Sequence, residues 1–493
     1  MTGGRDRLGR RAFVTGAGAA LLAGGAAGPA AAKDTGSAGA GPSGVVTSAG
    51  GGAARAGAGR AGPTGVVPSA GAGTAEAEAT GAEATGVASQ AGAAAETSAD
   101  TTAAETSADT TAAEISADTT AAETAGAGAA DFEAAVAETA VVDGPLPGFH
   151  PALEAALTFP LAWGTAPVRD FRAWRRAARS KVDELLIVDR EDGTPYAPEF
   201  GEPVRQDGYR AQSVTLSLTR HERVRAALLT PDGPGPFPAV LLLHDHGAKF
   251  DIGKEKLVRP WDDDVRLASA QAWAQKYFGG RFVGDELARR GYVVLCADAL
   301  GWGDRGPLAY DQQQALASNF FNLGSSLAGL MAREDARAAG FLAGLDRVDA
   351  RRVAAVGFSM GAYRAWQTAA LTDAVRAAAC VCWMTGLKEM MVPGNNTLRG
   401  QSSYYMLHPG LPRFLDFPDV ASIAAPRPML FFSGALDPLF PTDGVRTAHE
   451  KLRAVWRSRH AEERLRLETW PDLGHVFVDR MQDEVFDWLD RVL

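Results

Sequence analysis

The sequence predicts an α/β fold for its C-terminal part, and three observations carry that prediction. After Phe149, continuous apolar runs alternate with helical patterns. The first strand-like run alternates in character and a second follows it directly, as an antiparallel pair would. A glycine-flanked serine then stands where one apolar run meets a helical pattern. Continuous apolar strands separated by helices mean a mostly parallel sheet covered by helices on both faces.

The front of the chain is of another kind. Arg10-Arg11 precede Phe13-Val14 and a modestly apolar Gly/Ala-rich stretch to about Leu22, and Ala30-Ala31-Ala32 supply small residues for cleavage. Residues 1–32 therefore read as a twin-arginine signal peptide. The protein is expected to be exported to the periplasm, cell envelope or exterior, touching the membrane only in transit. "VTGAG" in this stretch resembles part of a phosphate loop, but no periodic strand precedes it and a full G-x-G-x-x-G is absent.

Residues 33–130 are Ala, Gly, Thr, Ser and Glu with almost no large apolar side chain. "ETSADTTAA" recurs at Glu96 and Glu105 and as "EISADTTAA" at Glu114. A repeat with nothing to bury cannot offset the entropy of ordering, so a disordered acidic spacer, a candidate for glycosylation, is expected.

Large apolar residues return near Phe132, which places one folded domain at 131–493 with a helical extension at its start. Phe171, Trp174, Ala178, Val182 and Leu185 recur at helical spacing. "AQSVTLSL" and "VRAALLT" form the opening strand pair, and "PDGPGPFP" turns the chain into "AVLLLHDHG". "YVVLCAD", "RVAAVGFS", "AAACVCW", "PRPMLFFSG" and "RLRLETWP" are the later strands, each followed by a loop or helix; "MQDEVFDWLDRVL" is a final helix.

A net charge of −10 with no basic stripe argues against nucleic acid as a partner. Cys296, Cys380 and Cys382 lie in apolar runs as small buried residues; Cys380 and Cys382 are expected on one strand face, where they cannot easily bridge each other.

With 56 glycines in 493 residues, chance alone supplies roughly 0.3 G-x-S-x-G matches. Context makes the motif informative. In "RVAAVGFSMGAYRAW" a buried strand leads into Ser359 and a helix leads out of it. So tight a turn needs glycine at 357 and 361, and the amide of Met360 at the helix start favours developing negative charge. A serine nucleophile needs a base and an orienting carboxylate. His475, between the last strand and the last helix, is the expected base. Asp437, in "SGALDPLFP", is the expected acid, with Asp443 the alternative. The second oxyanion donor is expected in "LLLHDHGAKF", Ala248 first and His246 second.

Two decoys are set aside. The H-x-H pair His244/His246 has no third ligand at a recognisable spacing, so no metal is expected. "GWGDRG" (301–306) is followed by proline and not by a helix, so no nucleotide or other cofactor is expected; the loop is read as lining the mouth of the site. Trp261, Trp302 and Trp383 are candidates for stacking on sugar rings. Lys249, Lys254, Lys256 and Arg259 are read first as a solvated basic loop and second as a site for an anionic substrate.

From about Phe149 to the C-terminus the chain resembles α/β-hydrolases of the dienelactone-hydrolase and acetyl-xylan-esterase-like group. Besides the Ser, Asp and His motifs, "LHDHGAKFDIGKEK" and "DFPDVASIAAPRPMLFFSGALDPLFP" are similar to segments of bacterial esterases in that group. The resemblance implies an α/β-hydrolase fold with an eight-stranded, mostly parallel sheet, no cofactor, and hydrolysis of carboxylic esters, often on plant-wall carbohydrate. Dienelactone hydrolases proper use cysteine where Ser359 stands, so their substrate is not carried over. A small-molecule or carbohydrate ester is the expected substrate. Two other classes remain: a serine peptidase of the prolyl-oligopeptidase type, which normally carries a propeller that residues 33–130 cannot form, and a non-catalytic binding protein on the same fold.

Overall fold

The computed structural model describes residues 142–143, 146–186, 193–391 and 404–493. The expected signal peptide (1–32) and spacer (33–130) lie outside the described residues. Strands β1 (Val142–Asp143) and β2 (Leu146–Pro147) make a short antiparallel pair. The main sheet contains β3 (Glu199–Phe200), β4 (Val204–Arg205), β5 (Tyr209–Ser217), β6 (Arg223–Pro231), β7 (Phe237–Leu243) and β8 (Val293–Ala297). It continues through β9 (Val348–Phe358), β10 (Ala377–Val381), β11 (Met429–Gly434) and β12 (Leu465–Trp470).

Their order across the sheet is β12-β11-β10-β9-β7-β8-β6-β5-β3, with β4 also on β5. From β7 to β12 neighbours run parallel, while β5 and β6 pair antiparallel with each other and β6 with β8. The eight longer strands are those the resemblance implies. Two-residue β3 and β4 extend the sheet to ten, being too short to leave a hydrophobic period in the sequence.

Strand residues alternate between two cores, because successive side chains point to opposite faces. Val353 and Ala355 of β9 face one side with the helices Phe171–Leu185, Leu327–Ala343, Met360–Leu371 and Thr442–Ser458. Ala354, Val356 and Phe358 face the other, with Asp264–Tyr277, Val283–Arg289 and Asp479–Val492. The helix Phe171–Leu185 is capped as its pattern suggests: the Asp170 carboxylate accepts the Ala173 N–H at 2.7 Å.

Cys380 and Cys382 depart from their expected arrangement. β10 ends at Val381, and Cys382 takes φ 58°, so Cys380 packs in one core and Cys382 in the other. All three cysteines are free and buried. Among the described residues no helix is long and apolar enough to cross a membrane.

The chain passes from β7 to β8 on one side and returns to β9 on the other. This reversal opens a crevice at the C-terminal ends of β7 and β9, where ligands bind in open α/β sheets. The loop 244–248 leaves β7 there, and Ser359 leaves β9.

Burial makes stability depend on pH. His449, inside the helix Thr442–Ser458, is pushed down to about 4 by burial and then by the charge of Arg453. A folded value below the unfolded one, about 6.5, gives stability that is present above that pH and lost as pH falls through 4. His449→Leu is therefore expected to lose less stability on acidification than the parent, by about 1.4 kcal/mol per pH unit between 6.5 and 4 and no further below that. Comparing the two proteins by urea unfolding at stepped pH cancels the other titrating groups; equal slopes would refute the assignment.

Candidate active site

Ser359 stands between β9 and the helix Met360–Leu371 with φ 56° and ψ −126°, a left-handed conformation strained for a residue with a Cβ. The turn closes only because its flanks are glycines. A Cβ on Gly357 would lie 2.2 Å from the carbonyl of Gly361, and one on Gly361 would lie 1.9 Å from the carbonyl oxygen of Leu243 at the end of β7. The Ser359 N–H donates to Val381 O at 2.8 Å, which ties the turn to the end of β10.

The acid and base loops are joined by continuing the ladder of β11 and β12 past its last pair. Ala435 N–H donates to Trp470 O at 2.8 Å, and Leu436 N–H to Leu473 O at 2.9 Å. Gly434 permits this approach, since a Cβ there would sit 2.3 Å from Gly474 O. Asp437 and His475 thus meet although 38 residues separate them.

The structure brings the three expected residues together. With its proton on Nδ1, His475 donates to Asp437 Oδ2 at 2.7 Å, and its Nε2, 2.9 Å from Ser359 Oγ, accepts the hydroxyl proton. The other Asp437 oxygen accepts the Leu439 N–H at 2.9 Å, so both carboxylate oxygens are engaged. Phe358 and Phe440 flank the imidazole, with centroids at 4.8 and 6.1 Å. Asp443, the alternative acid, is exposed and paired with Arg446 at 3.0 Å.

Met360 opens its helix and is buried, and its N–H has no intrahelical acceptor. Ala248, with Asp245, His246 and Gly247, lines a pocket of about 200 Å³ that also contains Ser359 and His475. Its walls are otherwise aromatic and apolar: Trp273, Tyr277, Tyr310, Phe358, Trp383 and Phe440, with Met390, Met406 and Leu439. No Lys or Arg is among these lining residues.

Most of this wall was invisible in the sequence. Trp273 and Tyr277 lie four apart on the helix Asp264–Tyr277, a spacing that reads as core packing. Of the three candidate tryptophans only Trp383 lines the pocket. Trp261 borders a separate cavity, and Trp302 is fully buried. "GWGDRG" does not line the pocket either. It sits behind the 244–248 loop, where the Trp302 indole donates to His246 O at 2.7 Å.

The basic segment is a solvated loop only in part: Arg259 is exposed and the Lys249 side chain is 41% exposed, but the two lysines between them are not. Lys254 is buried between Asp298, Asp304 and Glu255 at 2.7, 2.8 and 2.9 Å. Lys256 is fully buried, and its ammonium donates to His246 O at 2.8 Å and Asp245 O at 3.2 Å. Buried charges need such partners, which a reading of spacing alone does not supply.

The H-x-H pair is occupied within the protein. His244 Nε2 accepts the Ala299 N–H at 2.9 Å, so its Nδ1–H donates to Asp245 O at 2.8 Å. His246 lies 3.2 Å from Gln313 Oε1; burial, with Lys256 next, pushes it down to about 3 and keeps it neutral. Among the described residues, two groups bring three potential metal ligands within 4.8 Å: Cys382/Asp437/His475 and Glu255/Asp298/Asp304. In the first, the imidazole and carboxylate already bind each other, while in the second the Lys254 ammonium stands where a cation would.

Residues 275–487 match the model of the dienelactone hydrolase family, a span that contains Ser359, Asp437 and His475 but not the 244–248 loop. A curated relative, named "Putative hydrolase YtaP" in Bacillus subtilis (strain 168), is 29% identical over 289 residues, covering 58% of this chain and 90% of that protein. Among solved structures, a putative acetyl xylan esterase from Bacteroides fragilis NCTC 9343 superposes with a TM-score of 0.54 at 17% identity. The match covers 72% of this chain and 97% of that one, a likeness of fold.

Proposed function

We propose that the chain is a carboxylic-ester hydrolase that acts through Ser359, His475 and Asp437 on esters of neutral carbohydrate, a reading supported by its α/β-hydrolase fold and by the match of residues 275–487 to the dienelactone hydrolase family. The single observation that carries the reading is the unbroken Ser359–His475–Asp437 hydrogen-bond chain, at 2.9 and 2.7 Å. Ser359 Oγ attacks the ester carbonyl as its proton passes to His475 Nε2. Asp437 holds the ring and stabilises the imidazolium. The oxyanion rests on the Met360 N–H and on backbone N–H donors of the 244–248 loop, whose residues His246, Gly247 and Ala248 line the pocket. The tetrahedral centre collapses, the alcohol leaves with the proton from His475, and water repeats the cycle on the acyl-enzyme, releasing the acid.

The pocket supports the substrate class. Its aromatic walls suit the faces of a sugar ring, and among the described residues that line it there is no Lys or Arg to pair with an acidic sugar. The Arg10-Arg11 segment supports export by a twin-arginine route.

A panel of acetylated sugars, methyl-esterified uronates, short-acyl nitrophenyl esters and prolyl anilides tests the reading on the full chain. Turnover of nitrophenyl esters and at least one acetylated neutral sugar is expected. Cleavage of the anilides alone would make it a peptidase, and inertness toward all four would leave a binding protein.

A further inference from the structure

Lys256 lies outside the catalytic trio, yet it is the most completely buried cation near the site, on the 3-10 turn Lys254–Lys256. Its ammonium touches two successive carbonyls, Asp245 O at 3.2 Å and His246 O at 2.8 Å, with Asp245 Oδ2 at 3.5 Å. The indoles of Trp273 and Trp302 lie 4.9 and 5.8 Å from it and seal it from water. The same carbonyls have second donors: His244 Nδ1 on Asp245 O at 2.8 Å and Trp302 Nε1 on His246 O at 2.7 Å. Only Lys256 joins both.

A trans peptide group is planar, and its N–H points opposite to its C=O. Holding Asp245 O toward Lys256 therefore aims the His246 N–H the other way, and holding His246 O does the same for the Gly247 N–H. Both residues line the pocket that contains Ser359. Gly247 takes φ 43° there, and a Cβ on it would lie 2.2 Å from Trp273. The loop is thus pinned from behind by donors and from the side by a ring.

We propose that Lys256 is the positioning residue of the oxyanion loop, its ammonium clamping the carbonyls of Asp245 and His246 so that the amides of His246 and Gly247 face the carbonyl oxygen of the ester. This rests on the reading of Ser359 as nucleophile. A preorganised donor acts on the transition state and not on the bound ester, so its loss falls on kcat.

The test replaces Lys256 by methionine in the full chain, keeping the stem and removing the charge. The expected result with a short-acyl nitrophenyl ester is a fall in kcat of about 10²-fold, the loss typical of one oxyanion donor, with KM within threefold. Affinity for a boronic acid, which mimics the tetrahedral centre, should fall in parallel. A folded Lys256→Met protein with kcat within threefold of the parent, or with KM alone raised, overturns the proposal. Should that variant not fold, Lys256→Gln decides: it keeps a polar side chain that can donate to one carbonyl but removes the ammonium that bridges both. A kcat loss of about tenfold at constant KM supports the clamp, and no loss overturns it. A parent protein without esterase activity fails the nucleophile reading instead, so the two failures are distinct.

Discussion

Replacing Ser359 by alanine is expected to lower kcat on a short-acyl ester by about 10⁶-fold, since the residues of such a unit lose nearly all their advantage together. His475→Ala should cost about as much, and the double variant no more than either single one. Asp437→Asn is expected to cost about 10⁴-fold. Its geometry explains the difference. The Asp437 carboxylate accepts from His475 Nδ1 at 2.7 Å and from the Leu439 amide at 2.9 Å. An amide in its place keeps the shape but can turn an N–H toward the ring, favouring the tautomer with its proton on Nε2, where the base must be free. Stopped-flow release of nitrophenol would separate the steps. An Asp437→Asn protein within tenfold of the parent would remove that residue from the mechanism, and a turning-over Ser359→Ala protein would remove the mechanism itself.

The largest effect on folding is expected from Gly361→Ala. The added methyl would lie 1.9 Å from Leu243 O, a backbone atom of β7 that cannot swing aside as a side chain would. Either the helix Met360–Leu371 lifts off the sheet or the ends of β7 and β9 part. The expected cost is about 3–5 kcal/mol, at the upper end for single substitutions, with turnover lost because the same shift moves Ser359 away from His475. Gly344→Ala is the control: its Cβ would meet carbonyl oxygens only at 3.5 Å, and it should change stability by less than about 1 kcal/mol. Urea unfolding of the two variants beside the parent gives the comparison. Equal stabilities would mean that the elbow is not as tightly closed as the contact at Leu243 requires.

Both outcomes turn on how local patterns meet in space. The alternation of apolar runs and helical stretches is a local property, so the layered α/β architecture and the opening antiparallel pair were legible without coordinates. The two-residue strands β3 and β4 were not, because they exist only by pairing with β5. Cys382 shows the limit in one residue: two cysteines at i and i+2 share a face only while the strand lasts, and the strand stops between them.

The site divides the same way. By itself the sequence determined which side chains were chemically suited to be nucleophile, base and acid, because a glycine-bound turn after a strand and the loops after two later strands are local signals with local causes. Tertiary structure alone decided that Trp273, Tyr277 and Tyr310 wall the pocket, that Trp302 stands behind it, and that Lys254 and Lys256 lie inside the protein. Those roles depend on which surfaces are removed from water together. A buried charge is tolerable only where carboxylates or carbonyls from distant segments converge on it, and that convergence is a property of the packed sheet ends.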